Sequence, residues 1–112
     1  MQYLVTMDFV EPGPLLGPQQ FVGMMRGMVL PGLEALANLK SEGKIVAGGL
    51  PVGERALAFI VEADSNKELD NLLEDIPLWG VVKTKTTPLQ DIEDRLEHDR
   101  QFTERLESTL QQ

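Results

Sequence analysis

Cysteine is absent from this 112-residue sequence, and histidine occurs once, at His98. With no thiol, disulfides, thiolate nucleophiles and Cys-based metal sites are excluded. One imidazole cannot build a His-rich metal cluster. Aromatic residues are only 5% of the chain, so a core has to be built from Leu, Val, Ile, Met and Ala. No apolar run approaches the roughly 18 residues that a membrane span needs. The start, Met1-Gln2-Tyr3-Leu4, lacks the basic region of a signal peptide. Positive charge is scarce too: 10 Lys and Arg against 18 Asp and Glu leave a net charge of −8. That balance opposes nucleic acid and anionic membranes as partners. Gly-rich phosphate loops, a Ser-His-Asp set and metal-ligand clusters are missing as well. These absences lead us to expect a cytoplasmic protein with no metal and no cofactor, built as one domain with a modest core.

What is present is periodicity. In residues 2–9, Tyr3, Val5, Met7 and Phe9 fall on one face of a strand and Leu4, Thr6 and Asp8 on the other. Residues 11–17 read as a loop, and Pro18 suits the first turn of a helix. From there Phe21, Met24, Met25, Met28, Val29, Leu33, Leu36 and Leu39 recur at helical spacing. Pro31-Gly32 interrupts that run, which predicts a kink or two abutting helices, and Gly43 suits the C-terminal cap. Residues 44–51 and 55–64 are strand-like runs joined by Val52-Gly53-Glu54, a hairpin spacing. Ser65 and Glu68 form a capping box for a helix whose stripe is Leu69, Leu72, Leu73 and Ile76. Pro77 ends that helix, since it lacks an N–H and disfavours helix at Ile76. A last strand is expected from about residue 78 to 87. Thr87 then reads as the N-cap of a final helix with Pro88 in its first turn.

The order β-α-β-β-α-β predicts a ferredoxin-like α+β fold, a four-stranded antiparallel sheet with two helices on one face. Residues 1–88 form this domain and residues 89–112 an extra C-terminal helix, packing on the domain or on a neighbouring subunit. Its stripe of Leu89, Ile92, Leu96, Phe102, Leu106 and Leu110 is thin, with Asp91–Arg95 and Gln101–Arg105 as one-turn pairs. Both faces of the third strand are largely apolar: Leu57, Phe59 and Val61 alternate with Ala58, Ile60 and Glu62. A sheet apolar on both sides needs a second layer, which predicts a homodimer pairing sheet against sheet.

Three segments carry a resemblance: Met1-Gln2-Tyr3-Leu4-Val5-Thr6-Met7, Ser41-Glu42-Gly43, and the Leu-rich helix running into Ile76-Pro77-Leu78-Trp79. Over residues 1 to about 90 the chain resembles the muconolactone delta-isomerase family. The resemblance implies a dimeric α+β barrel, with paired sheets enclosing a cavity, often in a larger oligomer. It also implies proton transfer on a small unsaturated lactone or related ring, without cofactor or metal. Such a reaction needs an acid/base group near the substrate carbon and a donor for the developing enolate oxygen. Isomerases of this family carry Trp, Arg, His and Tyr along the second strand and hairpin. Here residues 44–53 read Lys-Ile-Val-Ala-Gly-Gly-Leu-Pro-Val-Gly, so those binding residues have no counterpart, and Gly48-Gly49 suits a bulge or close backbone approach.

The candidate catalytic residues are Asp8, a carboxylate for the cavity face of the first strand, and Arg55, a bidentate holder of a substrate carboxylate. Thr6, Trp79, Phe59 and Met25 are the candidate substrate-binding residues. Each has a plainer role. Asp8 suits a solvated strand end, Arg55 a surface salt bridge, Trp79 packing with a bonded indole N–H, and the methionines an ordinary core. Lys83 and Lys85 read as edge-strand lysines that discourage pairing, and His98 as a solvated helix residue. Two functional classes follow. One is a small cofactor-free isomerase. The other is a non-catalytic ligand-binding or oligomeric scaffold protein, its interface filled by Leu4, Leu57 and Phe59. A cofactor-free monooxygenase is a third.

Overall fold

The computed structural model describes residues 1–10 and 16–111. Residues 11–15, which carry most of the loop read over 11–17, lie outside the described residues, as does residue 112.

Strand β1 (Gln2–Phe9) lies inside the sheet, with Tyr3, Val5 and Met7 buried on one face. It pairs antiparallel with β3 (Ala56–Glu62) on one side and with β4 (Val82–Leu89) on the other. β2 (Ile45–Gly49) adds to β3, giving one sheet in the order β2-β3-β1-β4. Direct partners in an antiparallel ladder point to the same face. Tyr3 pairs with Val61, Val5 with Phe59 and Met7 with Leu57, and all six are buried against the helices. The opposite face, with Leu4, Thr6, Asp8, Ala58, Ile60, Lys83 and Lys85, carries no second layer among the described residues. The fold is therefore the ferredoxin-like α+β arrangement expected from the order of elements.

Register corrects one expectation. Phe59 is 4% exposed and faces the helices, as Leu57 does, so neither is available to a ligand or a partner on the open face. Its ladder partner Val5 fixes this, since a one-residue slip would reverse every side chain.

Helix α1 (Pro18–Met24) passes through a wide π-helical turn at Met25–Val29 into α2 (Leu30–Ser41). The interruption expected at Pro31-Gly32 takes this form for a local reason. Pro31 has no N–H and its ring crowds the carbonyl four residues back. The chain relieves this by bonding Leu30 N–H to the carbonyl of Met25, five residues back. Gly43, at φ 80°, ends α2 as expected.

In β2 the ladder slips between Ile45 and Ala47, and Gly48 adopts φ 121°. A Cβ at Gly48 would strike the Ala58 carbonyl oxygen and Phe59 Cα. This is the close approach expected of the Gly-Gly pair. α3 (Asn66–Glu74) is capped by Ser65, whose hydroxyl accepts from Glu68 N–H at 3.1 Å. The Glu68 carboxylate returns to Asp64 N–H at 2.8 Å, one residue earlier than the standard box.

The corner after α3 differs from its sequence reading. A 3₁₀ turn at Trp79–Val81 intervenes, and the strand opens only at Val82. β4 then runs through Thr87 and Pro88 to Leu89, because Leu4 and Tyr3 of β1 still offer ladder partners there. Thr87 is consequently no cap, and Leu89 is no part of the helical stripe. The final helix α4 (Ile92–Leu110) starts after Asp91. Within it Arg95 pairs forward with Asp99, and Gln101 donates to Glu97 at 3.2 Å, instead of the pairs expected.

Candidate functional site

A cavity of about 630 Å³ opens between the start of α1, the π-helical turn and the end of the sheet that lies beneath them. Its floor is the strand end Phe9-Val10. Two backbone bonds lock its sides together: Phe9 N–H donates to the Arg55 carbonyl at 3.1 Å, and Val10 N–H to the Val81 carbonyl at 2.9 Å. Arg55 and Val81 are thereby held on either side of β1, both lining the cavity.

The helical wall comes from Phe21, Met24, Met25, Met28 and Val29. The π-helical turn shapes it, since the extra residue in the turn shifts which side chains face inward; such turns recur at functional sites. Methionine suits an adaptable lining, with three rotatable bonds and a polarisable sulfur. The outer wall comes from the β2–β3 connection. Glu54 N–H bonds weakly back to the Pro51 carbonyl at 3.4 Å, closing a turn in which Gly53 takes φ 77°. A residue with positive φ at the third position is the signature of a type II turn, and Gly serves it without strain. The turn delivers Glu54, Arg55 and Ala56 in succession to the cavity edge. Among the described lining residues Glu54 and Arg55 are charged, Gln20 is polar and the rest are apolar.

The candidates read from sequence are thus divided by the fold. Met25 and Arg55 come together in the cavity wall. Thr6 and Asp8 point to the opposite face of the sheet, where the ladder sets them beside Lys85 and Lys83. Phe59 is core. Trp79 is 39% exposed and lies outside the cavity lining. Glu54 had no role assigned from sequence. Its signal was its place beside Arg55 directly after a Pro-Val-Gly turn. The ion pair between the Met1 amine and Glu62, 2.7 Å, lies at the other end of β1. It raises the amine's pKa and lowers that of Glu62 through their shared hydrogen bond. Among the described residues no cluster of three His, Asp or Glu could hold a metal, and no helix is long and apolar enough to cross a membrane.

A split βαβ sheet with helices on one side, and an apolar, ligand-sized cavity at the end of its central strand, define a small α+β domain of the ferredoxin-like class. Within that class the chain belongs to the muconolactone delta-isomerase family, whose model matches residues 1–94. No curated protein sequence matches. Among solved structures the chain is similar to a muconolactone isomerase, with 19% identity and a TM-score of 0.66 over 81% of this chain and 90% of that one. It is also similar to the 5-chloro-2-hydroxyhydroquinone dehydrochlorinase of Burkholderia phenoliruptrix AC1100, solved in complex with 2,5-dihydroxybenzoquinone. There the identity is 23% and the TM-score 0.61, over 84% of this chain and 98% of that one.

Proposed function

We propose that this protein is a small cofactor-free enzyme that binds an oxygenated, largely apolar ring in the methionine-lined cavity and moves a proton on it. The observation that carries the reading is that a carboxylate, Glu54, and a guanidinium, Arg55, both line a cavity whose other described lining residues are apolar apart from Gln20. The apolar lining suits a flat ring. Arg55 supplies fixed N–H donors for a substrate carboxylate or for the oxygen that becomes an enolate. Glu54 takes a proton from one ring carbon and returns it to another, so the double bond shifts and nothing is gained or lost overall. Membership of the family, and the two similar structures, whose names both refer to small oxygenated rings, support this substrate class. In this reading Glu54 takes the role that the sequence suggested for Asp8.

The test is turnover of muconolactone by the intact chain and by two variants. Glu54→Gln should lower kcat by about 10²-fold or more while leaving KM nearly unchanged, as expected for loss of a general base. Arg55→Leu should raise KM and lower kcat/KM together. Equal activity in all three proteins would remove both residues from the reaction. Saturable binding of muconolactone without turnover would favour the non-catalytic ligand-binding reading.

We further propose that two copies pair through their open sheet faces. Leu4 and Ile60, direct ladder partners at the centre of that face, form with Ala47 and Ala58 an apolar patch that the described residues leave uncovered.

A further inference from the structure

Helix α4 takes no part in the cavity. The family match ends at residue 94, near its start, and every residue of the helix is exposed. Its 19 residues extend the molecule to 73 Å along its longest axis. A helix of this length is marginal alone in water, and its apolar residues include Ile92 and Leu110, 82% and 85% exposed.

The spacing on α4 specifies what would cover them. Ile92, Leu96, Asp99, Thr103, Leu106 and Leu110 follow one another at intervals of four, three, four, three and four residues. That alternation is the seam of a heptad repeat, which packs against another helix knobs-into-holes. The seam runs apolar, apolar, Asp, Thr, apolar, apolar, so its apolar–polar pattern is kept when the helix is reversed, with Asp and Thr exchanging places.

We propose that α4 pairs with α4 of a second copy of this chain, antiparallel, with the two-fold axis near Gln101. Ile92 then meets the partner's Leu110, and Leu96 meets the partner's Leu106. Asp99 lies opposite the partner's Thr103, whose hydroxyl donates to the Asp99 carbonyl of its own helix at 2.7 Å and would have to turn from it to reach the partner's carboxylate. Arg95, 3.2 Å from Asp99 on its own helix, already balances that carboxylate. Phe102, flanking the seam beside the axis, meets the partner's Phe102. The parallel alternative sets Asp99 against the partner's Asp99 within the seam, and Arg95 beside the partner's Arg100 on both flanks. Like charges there oppose that register. The antiparallel pair keeps two rim repulsions, Glu93 with the partner's Glu107 and Arg100 with the partner's Arg100, both exposed and screened by salt; unlike the Asp99 pair of the parallel register, neither lies within the seam. Two helices this short cover less than the roughly 1,200 Å² of a stable interface. The pair is therefore a clasp, firm where copies are also tethered elsewhere, and it does not depend on what the cavity binds.

The absence of cysteine makes the register directly testable in the full chain. Leu96→Cys and Leu106→Cys proteins are treated with a short bis-maleimide, each alone and mixed one to one. Gln101→Cys, on the far side of the helix from the seam, serves as background. The mixture should give a 96–106 cross-linked dimer in several-fold excess over the product of either variant alone. In this register two copies of residue 96 lie about 15 Å apart along the axis at 1.5 Å per residue. Predominant 96–96 and 106–106 products would overturn the proposal in favour of parallel pairing. Yields at the Gln101→Cys background would overturn it outright. Circular dichroism checks that these exposed-helix variants keep the fold.

Discussion

Glycine 48 shows how one residue can fix the edge of a site. Its φ of 121° lies where a Cβ is strained, and the space a Cβ would need is held by the Ala58 carbonyl and Phe59 Cα. Gly48→Ala should therefore cost about 2 kcal/mol or more, combining backbone strain with a steric clash against main chain that cannot swing aside. Urea unfolding at unchanged m-value would measure it, and an unshifted midpoint would show that β2 relaxes freely. The Gly-Gly pair was legible as a close approach because so little else explains glycine in a strand. The cavity was legible only in part. Helical spacing put Met24, Met25 and Met28 together but could not separate a core from a cavity wall, because that depends on whether another element covers them. Asp8 and Arg55 stood as equals in the sequence. Strand pairing parts them, since Asp8 shares a face with Lys83 while Arg55 sits at the turn above Phe9.

At the scale of elements, the corner Ile76-Pro77-Leu78-Trp79 works through Leu78 more than through its tryptophan. Leu78 is wholly buried and rests on Gly32 of α2, with Cδ1 within 2.7 Å of where a Gly32 Cβ would be. The Pro31-Gly32 pair that looked like a simple helix break therefore has two uses. Proline helps set the π-helical turn of the cavity wall, and glycine opens the socket that receives the corner between α3 and β4. Leu78→Ala should destabilise the fold by roughly 3 kcal/mol, the usual cost of emptying a leucine site in a core. The same substitution at Trp79 should cost less, since 39% of its surface is already exposed. Thermal or urea unfolding of the two variants side by side gives the comparison; a larger loss at Trp79 would refute this account of the corner. The proline-terminated helix and the order of elements were readable because their signals are local. The 3₁₀ turn and the extension of β4 to Leu89 were not, because both depend on what β1 offers across the ladder.

For the whole molecule, the central question is what covers the open face of the sheet. Apolar residues sit at its middle, where Leu4 of β1 pairs with Ile60 of β3 and Ala47 of β2 also reaches Ile60. Polar and charged pairs, Thr6 with Lys85 and Asp8 with Lys83, lie towards one end. An apolar centre with a charged rim is the layout of a protein interface, and sheet-on-sheet packing about a two-fold axis lets the same patch serve both copies. Leu4 and Leu89, 36% and 38% exposed, would lose that exposure in the pair. Ile60→Lys places an ammonium at the centre of the patch while leaving the helix-facing core of Val5, Leu57, Phe59 and Val61 untouched. If the face were simply solvated, such a change would move stability by no more than about 0.5 kcal/mol and leave the mass of the particle unchanged. If it is the dimer interface, burying two unpaired ammonium groups against each other forbids the contact. Light scattering on the purified variant should then give half the mass of the parent or less at the same concentration. A parent protein that is monomeric, or a variant of undiminished mass, would exclude the sheet face as the seam between copies.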